Sequence, residues 1–357
     1  MRVIVTGGAG FIGSAVCRNF VLRQGWTVLN IDKLTYAASL GSLDALKTDS
    51  RYSFLRVDIC DRAALEKALA GFAPEAVLHL AAETHVDRSI DGSAPFIQTN
   101  VVGTHTLLEA CRAHWARLPN DRRSGFRFLH VSTDEVFGSL GPTGQFCETS
   151  PYDPRSPYAA SKAASDHLAR AWHETYGLPV ILSNCSNNYG PFQFPEKLIP
   201  LTILNALEGK SLPVYGDGQN IRDWLYVDDH VQALALVLAN GRPGQKYNVG
   251  GRNEHSNLQV VEAICDILDE LVPSAQKRRR LITFVPDRPG HDRRYAIDPD
   301  KVERELGWSA AESFHSGLEK TVRWYMANRA WWEPLRTGVY AGHRLGLIEA
   351  GRQGQSA

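Results

Sequence analysis

The sequence predicts an α/β protein: a doubly wound parallel sheet followed by a smaller α/β unit. Three observations lead there. Short apolar runs alternate with helix-patterned stretches through the first half, a glycine-rich turn directly follows the first apolar run, and the pattern changes after about Asn187. Strand candidates are Val3 to Thr6, Thr27 to Ile31, Tyr52 to Val57, Ala76 to Leu80, Arg127 to Ser132 and Val180 to Asn184. Helical patterns lie between them, at Phe11 to Arg23, Ala63 to Ala70, Val101 to His114 and Tyr158 to Tyr176. Strands that alternate with helices belong in a parallel sheet covered on both faces, the arrangement of a Rossmann-type dinucleotide fold.

Beyond Asn187 the alternation fades and Pro191, Pro195, Pro200, Pro213, Gly216 and Gly218 crowd the chain. The expected division gives residues 1–186, with a return segment at about 219–250, to the dinucleotide-binding domain. Residues of about 187–218 and 251–340 form the smaller C-terminal substrate-binding domain, and 341–357 a polar tail.

Of 357 residues, 43% are hydrophobic and 22% charged, with 39 Lys plus Arg against 39 Asp plus Glu. Such a balance offers no general field to nucleic acid or to an anionic membrane. The run Lys277-Arg278-Arg279-Arg280 reads as a solvated loop. Six cysteines, at Cys17, Cys60, Cys111, Cys147, Cys185 and Cys265, form no close pair and no metal-ligand spacing, so no metal is expected. They read as small core residues in a reducing compartment. A strand-like start leaves no room for a signal peptide and no apolar run reaches transmembrane length, which points to the cytoplasm.

The turn after Val3-Ile4-Val5 places glycines at Gly7, Gly10 and Gly13 and leads into a helix. Absent side chains let a backbone approach a pyrophosphate, and a helix N-terminus presents N–H donors and partial positive charge. Asp32, at the end of the second strand, is placed to accept from adenosine ribose hydroxyls; this favours NAD over NADP, with the neighbouring Lys33 weighing the other way. Asp58-Ile59 and Ala81-Ala82 end the third and fourth strands, at the edge where such sheets bind ligands.

Tyr158 and Lys162 stand four residues apart on a helical pattern and so share a face. A phenol titrates near pH 10, and a nearby ammonium with a positive nicotinamide ring would favour the phenolate, making Tyr158 a base. The fifth strand ends in Ser132-Thr133-Asp134-Glu135. Thr133 can hydrogen-bond the oxygen being oxidised. Asp134 and Glu135 have two readings: they cap the following turn, or they carry acid/base chemistry beyond hydride transfer.

These segments resemble the extended short-chain dehydrogenase/reductase family, and within it the nucleotide-sugar 4,6-dehydratases, from Met1 to about Trp324. The resemblance also rests on Ala81 through Ser89, Asn187-Asn188-Tyr189-Gly190-Pro191, Pro195 through Pro200, Arg222-Asp223-Trp224 and Asp287-Arg288-Pro289-Gly290-His291. It implies a homodimer built from paired helices, the stretches Val101 to His114 and Ser161 to Tyr176 being the candidates. It implies dTDP-glucose as substrate, oxidation at carbon 4 by Tyr158, loss of water across carbons 5 and 6 with Glu135 as base and Asp134 as acid, and hydride return to carbon 6. Around a tightly held NAD it places Phe11, Ile12, Lys33, Leu34, Thr35, Leu80, Thr99 and Asn188 with the residues above. Around the substrate it places Thr84, Thr133, Asn187, Lys197, Leu198, Pro213, Val214, Tyr215, Arg222, Asn257 and Asp287 to His291. Arg222 and Arg288 suit phosphate oxygens through the guanidinium fork.

Two positions depart from the family pattern. Phe137 replaces a usual tyrosine, and Asn184 replaces a usual arginine or small hydroxyl residue. The rival readings are a 4-epimerase, which has no use for the acid pair, a dehydratase for another nucleotide sugar, and a non-catalytic NAD-sensing protein.

Overall fold

A computed structural model describes residues 1–338 of the chain. Seven strands form one parallel sheet: β1 (Arg2–Thr6), β2 (Thr27–Asp32), β3 (Tyr52–Arg56), β4 (Ala76–His79), β5 (Arg127–Thr133), β6 (Val180–Cys185) and, after three strands that lie outside it, β10 (Lys246–Val249). The intervening strands are β7 (Asn187–Tyr189), β8 (Leu212–Tyr215) and β9 (Ile221–Tyr226); β11 (Glu254–Ser256) and β12 (Ile282–Val285) follow. The large sheet runs β10-β6-β5-β4-β1-β2-β3, so the order reverses between β1 and β4 and opens a crevice at their carboxyl ends. The central strands β1, β4, β5 and β6 are almost wholly buried, as expected of strands covered by helices on both faces.

Local chemistry sets the helix ends that matter to the crevice. Helix Pro157–Tyr176 has Ser156 as N-cap, its hydroxyl accepting from the Ala159 N–H, Pro157 in the first turn, and Gly177 at φ 71° just past its end. Helix Phe11–Leu22 differs: Gly10 is its N-cap and no side chain caps it. The residues before Thr104, read as part of one helix from Val101, instead wind as a π-helical turn over Ile97–Gly103.

A second core gathers helices Leu198–Leu207, Asn257–Leu271 and Phe314–Ala327 around Tyr189, Trp224 and Tyr325. There β11, β9 and β7 make a three-stranded sheet, and β12 pairs with β8. Because β9 lies in that smaller sheet, the chain re-enters the large one with helix Val227–Asn240 and β10, later than about residue 219.

The Lys277–Arg280 run is not a solvated loop throughout. Arg278 is buried and donates to the Asp269 carboxylate and to the Leu268 and Val272 carbonyls, while Arg279 pairs with Asp266. Cations are stabilised at a helix C-terminus, here that of Asn257–Leu271. Cys17, Cys111, Cys185 and Cys265 are buried, whereas Cys60 and Cys147 are partly exposed. Among the described residues no helix is long and apolar enough to cross a membrane. The polar tail, residues 341–357, lies outside the described residues.

The glycines of the first turn do different work. A Cβ on Gly7 would stand 2.7 Å from the Ala81 nitrogen, and one on Gly13 only 2.1 Å from the Gly7 carbonyl oxygen. At Gly10 the nearest atom would be 3.3 Å away. Gly13→Ala is therefore expected to cost about 2 kcal/mol or more through overpacking, with Gly10→Ala far milder. Thermal denaturation of the two variants checks this order.

Candidate active site

The crevice is walled by the ends of β1, β2, β4, β5 and β6 and by the loop that follows β7. Of the cofactor candidates, Gly7, Gly10, Phe11, Ile12, Gly13, Asp32, Lys33, Thr35, Ile59, Leu80, Ala81, Ala82, Thr99, Tyr158, Lys162 and Asn188 line it. Leu34 and Asp58 stand behind this wall. Leu34 turns the chain at φ 59° and donates its N–H to Asp32, and Asp58 lies 3.5 Å from the Lys33 ammonium.

These residues fit a dinucleotide. The uncapped N-terminus of helix Phe11–Leu22 leaves its first N–H groups toward the crevice, and Gly10 keeps the approach clear although no protein contact demands glycine there. Asp32 is fixed by the N–H groups of Ala9 (3.0 Å) and Leu34 (2.8 Å), leaving lone pairs for ribose hydroxyls. Lys33, which also lines the crevice, donates to Thr99 at 3.1 Å and lies 3.5 Å from the Asp58 carboxylate.

Thr133, Asp134, Glu135, Tyr158 and Lys162 converge at the end of β5. Thr133 closes that strand and caps the turn Asp134–Phe137, accepting from the Glu135 N–H. The cap of this turn is Thr133 and not the acid pair; Asp134 and Glu135 open the 3-10 turn and line the crevice. Phe137, beneath them, stacks on Phe146 and meets Tyr152 edge-on, so the departure from tyrosine fills an apolar seat.

Electrostatics separates the two acids. Burial pushes the Asp134 carboxyl well up, and the charges of Glu135 and Asp223 push it further. Burial also raises Glu135, but the cations Arg288, Arg222 and Lys197 work against it. Both carboxyls are thus raised, Asp134 the more strongly because no cluster of three cations offsets its burial. The expectation of a Tyr158 phenolate rests on Lys162 together with a positive nicotinamide ring. Burial and then the Glu135 charge hold its phenol well above the ordinary range, while the Lys162 ammonium donates to the Val131 carbonyl at 2.9 Å. In a protein interior a phenolate needs a compensating positive charge.

The substrate candidates divide. Thr84, Thr133, Asn187 and Lys197 line the crevice. Arg222 and Arg288 stand behind its rim and reach Glu135 through their charge. Arg222 is buried, lies over the Tyr295 ring at 4.3 Å and donates to the Asp292 carbonyl; Arg288 bonds Asp87 at 2.8 Å and keeps a buried Nε without a hydrogen-bond partner. Tyr215 donates to the other Asp87 oxygen. Asp287 pairs with His291, whose imidazole burial and neighbouring arginines push down to about 4. Pro289 and Gly290, at φ 65°, form the turn between them. Leu198 and Asn257 begin helices, Pro213 lies in β8 opposite Thr283, and Val214 is buried in the second core, its side chain away from the crevice.

Three contributors went unnoticed in the sequence. Asp87 joins Tyr215 to Arg288. Glu196 accepts from Tyr36 and Arg88 beside the crevice-lining Lys197. Asn100 holds the backbone of Glu83 in both directions and reaches Ser161 on the helix of Tyr158. Asp87 and Glu196 lie inside the matched motifs, but nothing local marks their partners, which stand more than 100 positions away.

A parallel sheet of this order with Thr, Tyr and Lys at its carboxyl edge defines an extended short-chain dehydrogenase/reductase. The chain belongs to the GDP-mannose 4,6 dehydratase family, whose description matches residues 4–321. It is 63% identical to a probable dTDP-glucose 4,6-dehydratase of Sinorhizobium fredii, over 98% of this chain and 99% of that protein. It is 57% identical to the dTDP-glucose 4,6-dehydratase of Neisseria meningitidis, over 97% of this chain and 99% of that one. The dTDP-glucose 4,6-dehydratase of Streptomyces venezuelae, solved with NAD and TYD bound, superposes with a TM-score of 0.86 at 47% identity, covering 94% of this chain and 100% of its own.

A carboxyl held protonated by the fold has a definite stability signature. The unfolded Asp134 ionises near its ordinary value while the folded one keeps its proton, so this group's contribution falls as pH rises above that value. Asp134→Asn removes the loss. Its melting temperature relative to the unsubstituted protein should climb by roughly 3 °C between about pH 5 and about pH 8, as read by calorimetry.

Proposed function

We propose that the protein converts dTDP-glucose into dTDP-4-keto-6-deoxyglucose and water, in the service of deoxysugar biosynthesis such as that of rhamnose. The observation that carries this reading is the acid pair Asp134-Glu135, one buried and one half-buried, set against Thr133, Tyr158 and Lys162, with Asp134 pushed well up and Glu135 raised against three opposing cations. An epimerase needs the Thr/Tyr/Lys set but no second acid and base. A sensor needs neither.

NAD, when bound, accepts hydride from carbon 4 of the sugar and returns it to carbon 6, ending each cycle oxidised. Tyr158 takes the 4-hydroxyl proton on its phenolic oxygen, with Thr133 and Lys162 orienting the alcohol and the base. The ketone acidifies the carbon 5 proton, which Glu135 removes and later restores. Asp134 gives its proton to the departing 6-hydroxyl, which leaves as water. Lys197, Arg222 and Arg288 hold the diphosphate, and Thr84 and Asn187 the sugar. Residues 1–186 with the later return segment carry the dinucleotide, the remainder carries the sugar nucleotide, and the working unit is a cytoplasmic homodimer joined through Val101 to His114 and Ser161 to Tyr176.

The family is named for a guanosine sugar and the relatives described above for a thymidine sugar, so the base is the first thing to test. Purified protein given dTDP-glucose and no added cofactor should form the 4-keto-6-deoxy sugar, read by its absorbance in alkali, with none from UDP-glucose or GDP-mannose. Product from GDP-mannose instead would move the substrate; product from no sugar nucleotide, even with added NAD, would overturn the reading. Two substitutions separate the stages. Tyr158→Phe should abolish oxidation, while Glu135→Gln should lower turnover by about 100-fold or more yet still build up reduced cofactor on mixing with dTDP-glucose.

A further inference from the structure

Behind the catalytic face lies a set of buried polar groups that the proposed chemistry does not use. Asp166 follows Lys162 by one helical turn, so Tyr158, Lys162 and Asp166 form an i, i+4, i+8 series on helix Pro157–Tyr176. Asp166 is only 2% exposed and lies off the crevice wall. Its carboxyl meets three other elements: the Tyr152 hydroxyl donates at 2.8 Å, Asn184 Nδ2 of β6 donates at 3.3 Å, and His130 Nε2 of β5 lies at 3.0 Å, a donor in the tautomer that carries its proton there. Burial works against its charge, but the hydrogen bond and charge of His130 and the charge of Lys162 hold this carboxyl below its ordinary range, which favours the carboxylate.

The same Asn184 Nδ2 also donates to the Thr133 carbonyl at 3.0 Å. The residue that departs from the family pattern is thus a bridge between Asp166 and the reactive end of β5. Lys162 grips that strand two residues earlier, through the Val131 carbonyl. Lys162 is itself buried, and a buried ammonium needs a compensating anion.

We propose that Asp166 is a positioning residue for this reaction: its carboxylate anchors the end of β5 through Asn184 and is the buried counter-charge that keeps Lys162 an ammonium. The inference rests on the Thr133, Tyr158 and Lys162 roles proposed above. The groups around the carboxylate are consistent with it. On β5 and β4, His130 and His79 sit ring to ring at 5.3 Å, and burial holds both neutral. β6 offers Asn184 and Cys185, and the segment before the helix offers Tyr152; burial keeps the Cys185 thiol and the Tyr152 phenol protonated. From β10 the Lys246 ammonium covers the Tyr152 ring at 4.3 Å. The helix itself adds Tyr158, Lys162 and, further along, Arg170. Asp166 is the anion among these that answers Lys162, and it raises that ammonium against the lowering effect of burial.

Asp166→Asn isolates the charge from the hydrogen bonds. The amide oxygen still accepts from Tyr152 and Asn184, and the amide NH2 can donate to His130 Nε2 once the imidazole proton moves to Nδ1, an atom now without a partner. Turnover of dTDP-glucose as a function of pH, with NAD content and KM measured alongside, is the test. The expected result is that the alkaline fall of kcat moves to lower pH by about one unit or more, with KM and NAD content unchanged. Tyr152→Phe, which removes one hydrogen bond and leaves the charge, should not move it. An alkaline limb that stays in place in Asp166→Asn, or moves equally in Tyr152→Phe, overturns the proposal. Lysine-selective NMR titration of Lys162, assigned by its loss in Lys162→Arg, reads the same shift without turnover. An unsubstituted protein inactive on dTDP-glucose would therefore refute the substrate and leave this inference still decided by the titration.

Discussion

The parallel register of β5 between β4 and β6 is the constraint on which the site depends. Thr133 pairs with Cys185 at the last rung, and the strand ends there, so Thr133, Asp134 and Glu135 emerge together at the crevice. A one-residue slip would turn every side chain of β5 to the opposite face. The fold resists that slip from two sides. Apolar residues of β5 fill both halves of the core, Leu129 and Val131 on one face and Phe128 on the other. Lys162 and Asn184 then hold the carbonyls of Val131 and Thr133.

Burial does chemical work as well as structural work. The crevice edge collects carboxyls, a phenol and an ammonium in a place where charged forms are disfavoured, so each group's protonation depends on which neighbours compensate it. Three cations oppose the rise of Glu135 while two other acids add to that of Asp134, so adjacent residues of similar intrinsic acidity are raised to different degrees. Arg288 belongs to the same arrangement: Asp87 fixes one end of its guanidinium, and its buried Nε is left for an acceptor that the protein does not supply. An oxygen of a diphosphate is such an acceptor.

Likeness to an epimerase of the same fold, the UDP-glucose 4-epimerase of Thermus thermophilus (TM-score 0.81, 30% identity, 92% of this chain and 100% of that one), shows how little of the architecture distinguishes the reactions. Sheet order and crevice serve hydride chemistry in general, so the reaction is decided by the side chains set at the crevice.

What the sequence determined by itself is everything encoded by short-range geometry. The strand, Gly-rich turn and helix at the N-terminus, the acid at the end of β2, the Tyr158–Lys162 spacing and the Thr133-Asp134-Glu135 run are legible because periods of two and 3.6 residues fix which side chains share a face. The tertiary structure alone decided which charges meet. Asp87 finds Arg288 from 201 positions away and Tyr215 from 128, and Lys33 finds Thr99 from 66. It also decided that Lys162 bonds a carbonyl of β5, and that part of the basic run caps a helix instead of meeting water. The physical reason is that a charge is governed by burial and by neighbours within a few ångströms, and chain distance carries no information about either.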